Sequence, residues 1–395
     1  MKTASPRLAS RMAGIQPFHV MDVLARARAL EAAGRDIVHM EIGEPDFTAP
    51  AGVVAAGVAA LRAGETHYTP AAGLPALREA VAGHYRACYG LDVAPERILI
   101  TPGASGALLL ALAVLLDPGD QVLLCDPGYP CNRHFVRLLE GEAVALPVDA
   151  TTHWQPTAEQ IASIWGPRTR CLMLASPANP TGTLISETVL RRIETRVRER
   201  GGVLIVDEIY HGLVYEEAPP SALALPGPVF VINSFSKYFG MTGWRLGWLV
   251  APPEYVPALE RLAQNVFLAA PTPAQHAALA AFSEDARAEY ERRREIFRER
   301  RDFLVPALEA LGFGITVRPQ GAFYVYADCS AFGSDSLAFC RRLLEAAGVA
   351  VTPGCDFGDH EAGRHVRFAY TTGLERLREG VRRLQTFLQE RGEEG

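Results

Sequence analysis

Residues 203–210 read VLIVDEIY, and this stretch says the most about the fold. Its first four residues are all apolar and predict a strand that is buried on both faces, as strands of parallel sheets are. The strand ends in Asp207, and a buried carboxylate is costly unless it meets a cation. Asp207 therefore either caps a following helix or faces a positively charged group. Ligands of parallel sheets bind beyond the carboxyl ends of the strands, which is where Asp207 lies.

Similar short apolar segments recur on both sides of this strand and alternate with helical patterns. Strands are predicted over residues 97–101, 121–125, 143–148, 170–174, 203–206, 229–232 and 246–250, and helices over 104–116, 131–139 and 187–200. This alternation predicts an α/β fold with a mostly parallel central sheet covered by helices.

The pattern changes toward the C-terminal end of the chain. A long charged helix is predicted over residues 285–311, with strands over 321–327 and 365–370 and helices over 336–347 and 374–389. These elements predict a smaller α+β domain. Arginines crowd the long helix at residues 292–301, but acidic residues interleave with them, so we predict that this face of the helix is solvated.

The composition argues against several classes of function. The 395 residues carry a net charge of −6 without a long run of one sign, so binding to nucleic acid is not expected. The longest apolar run, residues 107–116, is too short to cross a bilayer, so no membrane association is expected either. Seven scattered cysteines without a CxxC pair predict a cytoplasmic protein with reduced thiols, and no HExxH motif indicates a metal.

Lysine is nearly absent from the chain. Only Lys2 and Lys237 occur, although lysine and arginine together number 39. Arginine can replace lysine as a cation, but it cannot supply the neutral amine that attacks a carbonyl group. Lys237 is therefore either a nucleophile or simply a remaining surface lysine.

Groups that suit a phosphate occur close to Lys237 and in one earlier turn. Ser234 and Ser236 follow a predicted strand, and Arg245 lies shortly after Lys237. Hydroxyls and a guanidinium group that converge form a good seat for a phosphate. The turn TPGASG, residues 101–106, opens a predicted helix whose first N–H groups favour an anion. The alternative is that Ser105 is an ordinary helix cap.

Two more turns follow predicted strands. The turn SPANPTG, residues 176–182, contains two X-Pro bonds, which allow a cis peptide, and it would direct Asn179 at a ligand. The turn DPGYP, residues 126–130, presents the flat ring of Tyr129.

In their order and spacing these segments resemble the class I and II aminotransferases, which are fold-type I pyridoxal-phosphate (PLP) enzymes. The resemblance extends from GEPDF at residues 43–47 to Arg367, which is nearly the whole chain. It implies a homodimer with shared active sites. It also implies a large PLP-binding domain over residues 46–290 and a small domain over residues 291–395, which the N-terminal segment 1–45 joins.

The resemblance assigns a role to each candidate residue. Lys237 is similar to the catalytic lysine that holds PLP as a Schiff base. Asp207 is similar to the acid that pairs with the pyridine nitrogen, and Tyr210 to a donor to the phenolic oxygen. The other implied cofactor-binding residues are Gly103, Ala104, Ser105, Tyr129, Asn179, Ser234, Ser236, Arg245 and, from the neighbouring subunit, Tyr68. The α-carboxylate of the substrate would meet Arg367, Gly43 and Asn179. Ala369 departs from the family pattern, in which serine is common at this position.

The implied reaction is the transfer of an amino group from an amino acid to a 2-oxo acid. A PLP-dependent β-lyase of the cystathionine type shares the same cofactor site and stays open as an alternative, as does a regulator with an aminotransferase-like domain. Dicarboxylate-specific relatives often hold the distal carboxylate with a cation from a segment that here spans residues 262–286 and contains no lysine or arginine. We therefore predict an amino donor with a neutral or hydrophobic side chain.

Overall fold

The computed structural model describes residues 7–393 of the chain. Lys2 lies outside these residues, whereas Lys237 lies within them. In the described part of the chain, no helix is both long enough and apolar enough to span a bilayer.

Within the described residues, the strands form three sheets. They are β1 (Val38–His39), β2 (Ile98–Thr101), β3 (Gln121–Asp126), β4 (Glu142–Pro147), β5 (Thr169–Ala175), β6 (Val203–Asp207), β7 (Val229–Ser234), β8 (Gly247–Val250), β9 (Tyr324–Asp328), β10 (Val349–Ala350), β11 (Thr352–Pro353) and β12 (His365–Ala369).

Helices cover these sheets. They are α1 (His19–Ala32), α2 (Ala51–Arg62), α3 (Pro75–Tyr89), α4 (Gly103–Ala113), α5 (Cys131–Leu138), α6 (Ala158–Ile164), α7 (Glu187–Glu199), α8 (Val256–Val266), α9 (Thr272–Leu279), α10 (Glu284–Ala310), α11 (Ser336–Ala347) and α12 (Leu374–Glu393).

The central sheet has seven strands in the order β2-β8-β7-β6-β5-β3-β4. The neighbours from β7 to β4 are parallel, and β8 runs antiparallel to both β7 and β2. Its strands are apolar on both sides, because Leu172 packs into the core under α6 and α7 while Met173 packs into the core under α4, α5 and α8. The predicted α/β fold and all seven predicted strands are confirmed.

The topology gathers several chain turns at one edge of this sheet. The strands β3, β5, β6 and β7 are parallel to one another, and β2 runs in the same direction because β8 is antiparallel to both β7 and β2. The carboxyl ends of these strands therefore bring together Asp207, Ser234 and the turns that follow residues 101, 126 and 175.

A second, antiparallel sheet has the order β11-β12-β9 and packs against α10, α11 and α12 around its own core. Arg367 lies on β12, opposite Thr352 of β11 and Tyr326 of β9. The short strand β1 pairs in parallel with β10, although the two are separated by most of the chain. This pairing brings the N-terminal segment beside the second sheet.

The prediction of a solvated arginine face on α10 is wrong for three residues, since Arg293, Arg300 and Arg301 are buried. Arg300 forms two bonds of 2.8 Å to the carboxylate of Asp46, and Arg293 donates to the backbone oxygen of Thr48 at 2.7 Å. These partners lie far away in the sequence, so the local alternation of charges on the helix does not indicate them.

Candidate active site

A cavity of about 210 Å³ lies at the carboxyl edge of the central sheet and faces β9 and β12 of the second sheet. Twelve of the residues proposed from the sequence line it: Gly43, Ala104, Ser105, Tyr129, Asn179, Asp207, Tyr210, Ser234, Ser236, Lys237, Arg245 and Arg367. Gly103 and Tyr68 are not among its lining residues. Gly103 is the first residue of α4, directly before Ala104, and Tyr68 is 83% exposed at the surface.

Lys237 follows the end of β7 and points across the cavity to the N-terminal segment. Its Nζ donates to the backbone oxygen of Gly43 at 2.6 Å. Desolvation in the cavity lowers the pKa of Lys237 to about 8, and the positive charges of Arg367 and Arg245 lower it as well. About a tenth of this amine is therefore neutral at pH 7, and the neutral fraction, which an amine nucleophile requires, grows as the pH rises toward 8.

Asp207 is buried at the end of β6, where its Oδ1 accepts a hydrogen bond from the N–H of Ile209 at 3.0 Å. A turn rather than a helix follows it, so the interpretation of Asp207 as a helix cap is wrong. Burial raises the pKa of Asp207 to about 6, against the opposing effects of the Ile209 N–H and Lys237. The hydrogen bond given for the Asp207 side chain within residues 7–393 comes from a backbone N–H and not from a cation, so a ring nitrogen that carries a proton would suit this carboxylate.

The start of α4 and the loop after β7 form a site suited to an anion. The N-cap residue of α4 is Pro102, which forms no side-chain cap hydrogen bond in the described part of the chain, and Ser105 lies inside the first turn, so Ser105 is not the helix cap. Gly103 has a φ of 72°, and a Cβ on this residue would approach Nη2 of Arg245 to 2.7 Å. The hydroxyls of Ser234 and Ser236 are 2.9 Å apart. Free N–H groups, two hydroxyls and a guanidinium group suit a phosphate.

Arg367 is buried and held by several fixed partners. Nη1 donates to Oδ1 of Asn179 at 2.9 Å, and Nη2 donates to the backbone oxygen of Glu41 at 2.5 Å and approaches Oγ1 of Thr352 at 3.3 Å. Its Nε is buried and has no hydrogen-bond partner among the described residues. Such a fixed guanidinium group with a donor to spare suits a carboxylate of the substrate.

Tyr210 and Tyr129 occupy two walls of the cavity. The hydroxyl of Tyr210 lies 3.0 Å from the hydroxyl of Tyr324. Tyr129 meets the ring of Phe18 edge-on, with ring centroids 6.5 Å apart. The turn that carries Asn179 contains cis peptides at Ser176–Pro177 and Asn179–Pro180, as the sequence allowed.

Sequence reasoning missed Tyr324, Met21 and Ile42 as lining residues. Tyr324 lies in a strand that was predicted, but nothing in the sequence shows which of its residues face the central sheet. Met21 and Ile42 belong to the N-terminal segment, whose position depends on the pairing of β1 with the distant β10.

A mostly parallel sheet covered by helices, with a buried lysine, a buried acid and a loop suited to an anion at its carboxyl edge, is typical of fold-type I enzymes. The family model for aminotransferase class I and II matches residues 35–384. The chain belongs to this family and is an aminotransferase, which transfers an amino group from an amino acid to a 2-oxo acid.

Named relatives agree over nearly the whole chain. The valine–pyruvate aminotransferase of Mycobacterium tuberculosis is 41% identical over 95% of this chain and 97% of its own length. A crystal structure of an aminotransferase from Mycobacterium tuberculosis covers 98% of this chain and 100% of its own, at 40% identity and a TM-score of 0.94. A structure of the aspartate aminotransferase from Thermus thermophilus with maleate covers 96% of this chain and 99% of its own, at 38% identity and a TM-score of 0.91. None of the three supports the lyase alternative.

Proposed function

We propose that this aminotransferase uses PLP bound to Lys237 and that its primary amino donor has a neutral or hydrophobic side chain. The observation that carries the proposal is that one cavity joins the Lys237 amine, whose pKa is lowered to about 8, with the buried Asp207, the anion site and Arg367. PLP supplies an electron sink for the bonds at the substrate Cα. The proposed contacts to the phosphate come from the start of α4, Ser234, Ser236 and Arg245, and Asp207 would face the ring nitrogen.

Lys237 would serve both as the attachment point and as the base. As a free amine, Nζ would be placed to take a proton from the Cα of the substrate and to return it. A pKa of about 8 suits this task, because the neutral amine is available close to neutral pH and the ammonium form can return the proton.

Arg367 and Asn179 would hold the α-carboxylate of the substrate and so place its Cα beside Lys237. The bond between Asn179 and Arg367 fixes the guanidinium plane before the substrate arrives, which lowers the entropic cost of binding. Since every amino acid and 2-oxo acid has this carboxylate, the contact gives no preference among side chains.

The side-chain preference would come from the apolar part of the cavity. Phe18, Val20, Met21 and Ile42 line it on the N-terminal side. The only cations among its lining residues are Lys237, Arg245 and Arg367, and each already has a proposed partner. A second carboxylate on the substrate would therefore be desolvated without a counter-ion from the described part of this chain. The relative named valine–pyruvate aminotransferase supports this proposal, whereas the relative named aspartate aminotransferase favours a dicarboxylate donor, so the two names give opposite expectations.

The test compares kcat/KM for aspartate with the values for alanine, valine, leucine and phenylalanine. 2-Oxoglutarate is the acceptor for all five donors, and pyruvate is a second acceptor for every donor except alanine. We expect at least one of the four neutral donors to exceed aspartate by about tenfold or more, which corresponds to about 1.4 kcal/mol. A preference for aspartate of that size would show that the cavity holds a distal carboxylate and that the assigned side-chain preference is wrong.

We also propose that two copies form a homodimer. Several large apolar side chains are exposed on α2 and the segments near it: Val54, Val58, Leu61, Tyr68, Val266 and Leu268. Thr272 donates to the backbone oxygen of His67 at 2.7 Å, and Gln275 donates to Oγ1 of Thr69 at 3.0 Å. These bonds hold the loop that carries Tyr68 against α9, so the exposed side chains suit a common interface. The domain division at residues 45 and 290 and the cytoplasmic location stay predictions.

A further inference from the structure

We propose that Tyr324 is a positioning residue of this active site. Its hydroxyl orients the proton of Tyr210 toward the phenolic oxygen of the cofactor, and its ring supports Arg367. The inference rests on the proposed use of PLP and adds a residue to the same site.

Tyr324 stands where three parts of the site meet. Its hydroxyl lies 3.0 Å from that of Tyr210, and the guanidinium carbon of Arg367 lies 4.2 Å from the centroid of its ring. A Cβ on Gly43 would collide with the Tyr324 hydroxyl, so the glycine leaves the space that this hydroxyl occupies. The backbone oxygen of Gly43 in turn accepts the bond from Lys237.

Each phenol has a single proton, and this determines which hydroxyl donates the hydrogen bond between Tyr210 and Tyr324. Burial raises the pKa of both Tyr210 and Tyr324, so each phenol keeps its single proton near neutral pH. If Tyr210 donates its proton to the cofactor oxygen, the bond between the two hydroxyls must be donated by Tyr324. A phenol that accepts a hydrogen bond becomes a stronger donor, because successive hydrogen bonds polarise one another.

The hydrogen bond from Tyr324 to Tyr210 should change the proton affinity of the bound cofactor. A stronger donor at the phenolic oxygen withdraws electron density from the ring and lowers the proton affinity of the nitrogen contributed by Lys237. Removing the Tyr324 hydroxyl should therefore raise the pH midpoint of the absorbance change of the bound cofactor. A role limited to packing would not move this midpoint.

The experiment titrates the visible absorbance of the holoenzyme in the wild type and in Tyr324→Phe, Tyr210→Phe and Tyr326→Phe. Tyr326 is the matched control, because it lies on the same strand with a buried hydroxyl that has no hydrogen-bond partner among the described residues. We expect Tyr324→Phe to raise the midpoint by about half a unit, or roughly threefold in proton affinity. Tyr210→Phe should raise it further, and Tyr326→Phe should leave it unchanged.

The ring and the hydroxyl have separable effects on the substrate. Tyr324→Phe keeps the ring below Arg367, so KM values should stay within about twofold of the wild type. Tyr324→Leu removes the ring, and KM should rise about fivefold for amino acids and 2-oxo acids alike. Equal KM changes in the two variants would overturn the assignment of the ring to Arg367.

The substitution Gly43→Ala tests the role of the Tyr324 hydroxyl without changing Tyr324 itself. The added methyl displaces the Tyr324 hydroxyl and should raise the absorbance midpoint in the same direction. In the Tyr324→Phe background the same substitution should cause a smaller change, because part of the collision is gone.

A midpoint in Tyr324→Phe that equals the wild-type value, while Tyr210→Phe shifts it, would overturn the inference and leave the proposed function intact. A wild-type protein that develops no absorbance band with PLP would instead refute the proposed function, and the role of Tyr324 would fall with it.

Discussion

At the scale of single residues, the lowered pKa of Lys237 makes a prediction about the cofactor-free protein. Only the neutral amine attacks the carbonyl group of PLP, so the rate of PLP capture should rise as the pH rises through about 8 and then level off. The reference compound is lysine acetylated at its α-amine, which keeps the side-chain amine free. Its rate of reaction with PLP should keep rising to a pH of about 10.4.

Stopped-flow absorbance between pH 6.5 and 10 measures this profile. Borohydride reduction followed by peptide mapping should then find the cofactor on Lys237, and Lys237→Ala should show neither the absorbance band nor turnover. A capture rate that is flat between pH 7 and 9, or a cofactor fixed on Lys2, would contradict the assignment.

The prediction for Arg367 concerns the shape of its guanidinium group. A lysine at this position cannot offer two parallel donors while it also bonds to Asn179, so Arg367→Lys should lower kcat/KM by about 10- to 100-fold. The loss should be similar for every amino acid and 2-oxo acid. Arg364→Lys is the control, since Arg364 is half exposed and pairs with Asp328 and Glu361. A loss confined to some substrates would mean that Arg367 contacts the side chain of the substrate and not its α-carboxylate.

At the scale of elements, the regular parts of the fold were predictable and the pairings between distant segments were not. The strands of the central sheet are continuous apolar runs, so periodicity and turn residues locate them to within two residues or so. The strands β1, β10 and β11 have two residues each and carry no period to detect. For the same reason, Lys237 and Asp207 were found from local motifs, whereas Tyr324 required the packing of the second sheet against the first.

The helix α10 offers a test of how burial changes the contribution of an arginine. Arg300 is buried and bonded to Asp46 and to the backbone oxygen of Tyr370. Arg300→Met leaves the carboxylate of Asp46 without its partner and should lower the free energy of unfolding by about 3 kcal/mol. Arg292 on the same helix forms an exposed pair with Glu289, and Arg292→Met should cost less than about 1 kcal/mol.

Urea unfolding of the two variants at one protein concentration provides the comparison. Equal losses would mean that the partners of Arg300 add nothing beyond the general effect of removing a charge from this helix.

At the scale of the whole molecule, the proposed homodimer predicts that a hybrid of two inactive or weakened variants regains activity. Tyr68→Phe should weaken PLP binding about tenfold if Tyr68 reaches a phosphate in the neighbouring subunit. A hybrid with Lys237→Ala contains one site in which both residues are native. At limiting PLP, refolded mixtures should therefore be more active than the sum of the separate variants, and sedimentation should show dimers. Activity equal to that sum would refute a shared site.

The pairing of β1 with β10 has a consequence for how the enzyme is made. Gly43 and Arg367 face the same cavity, but the ribosome synthesises them on the order of tens of seconds apart. A nascent chain already contains Lys237 and the proposed anion site before Arg367, the proposed contact of the α-carboxylate, has been synthesised. Chains that terminate before β12 lack Arg367, so the proposed site for the α-carboxylate of the substrate is complete only in chains that extend past this strand.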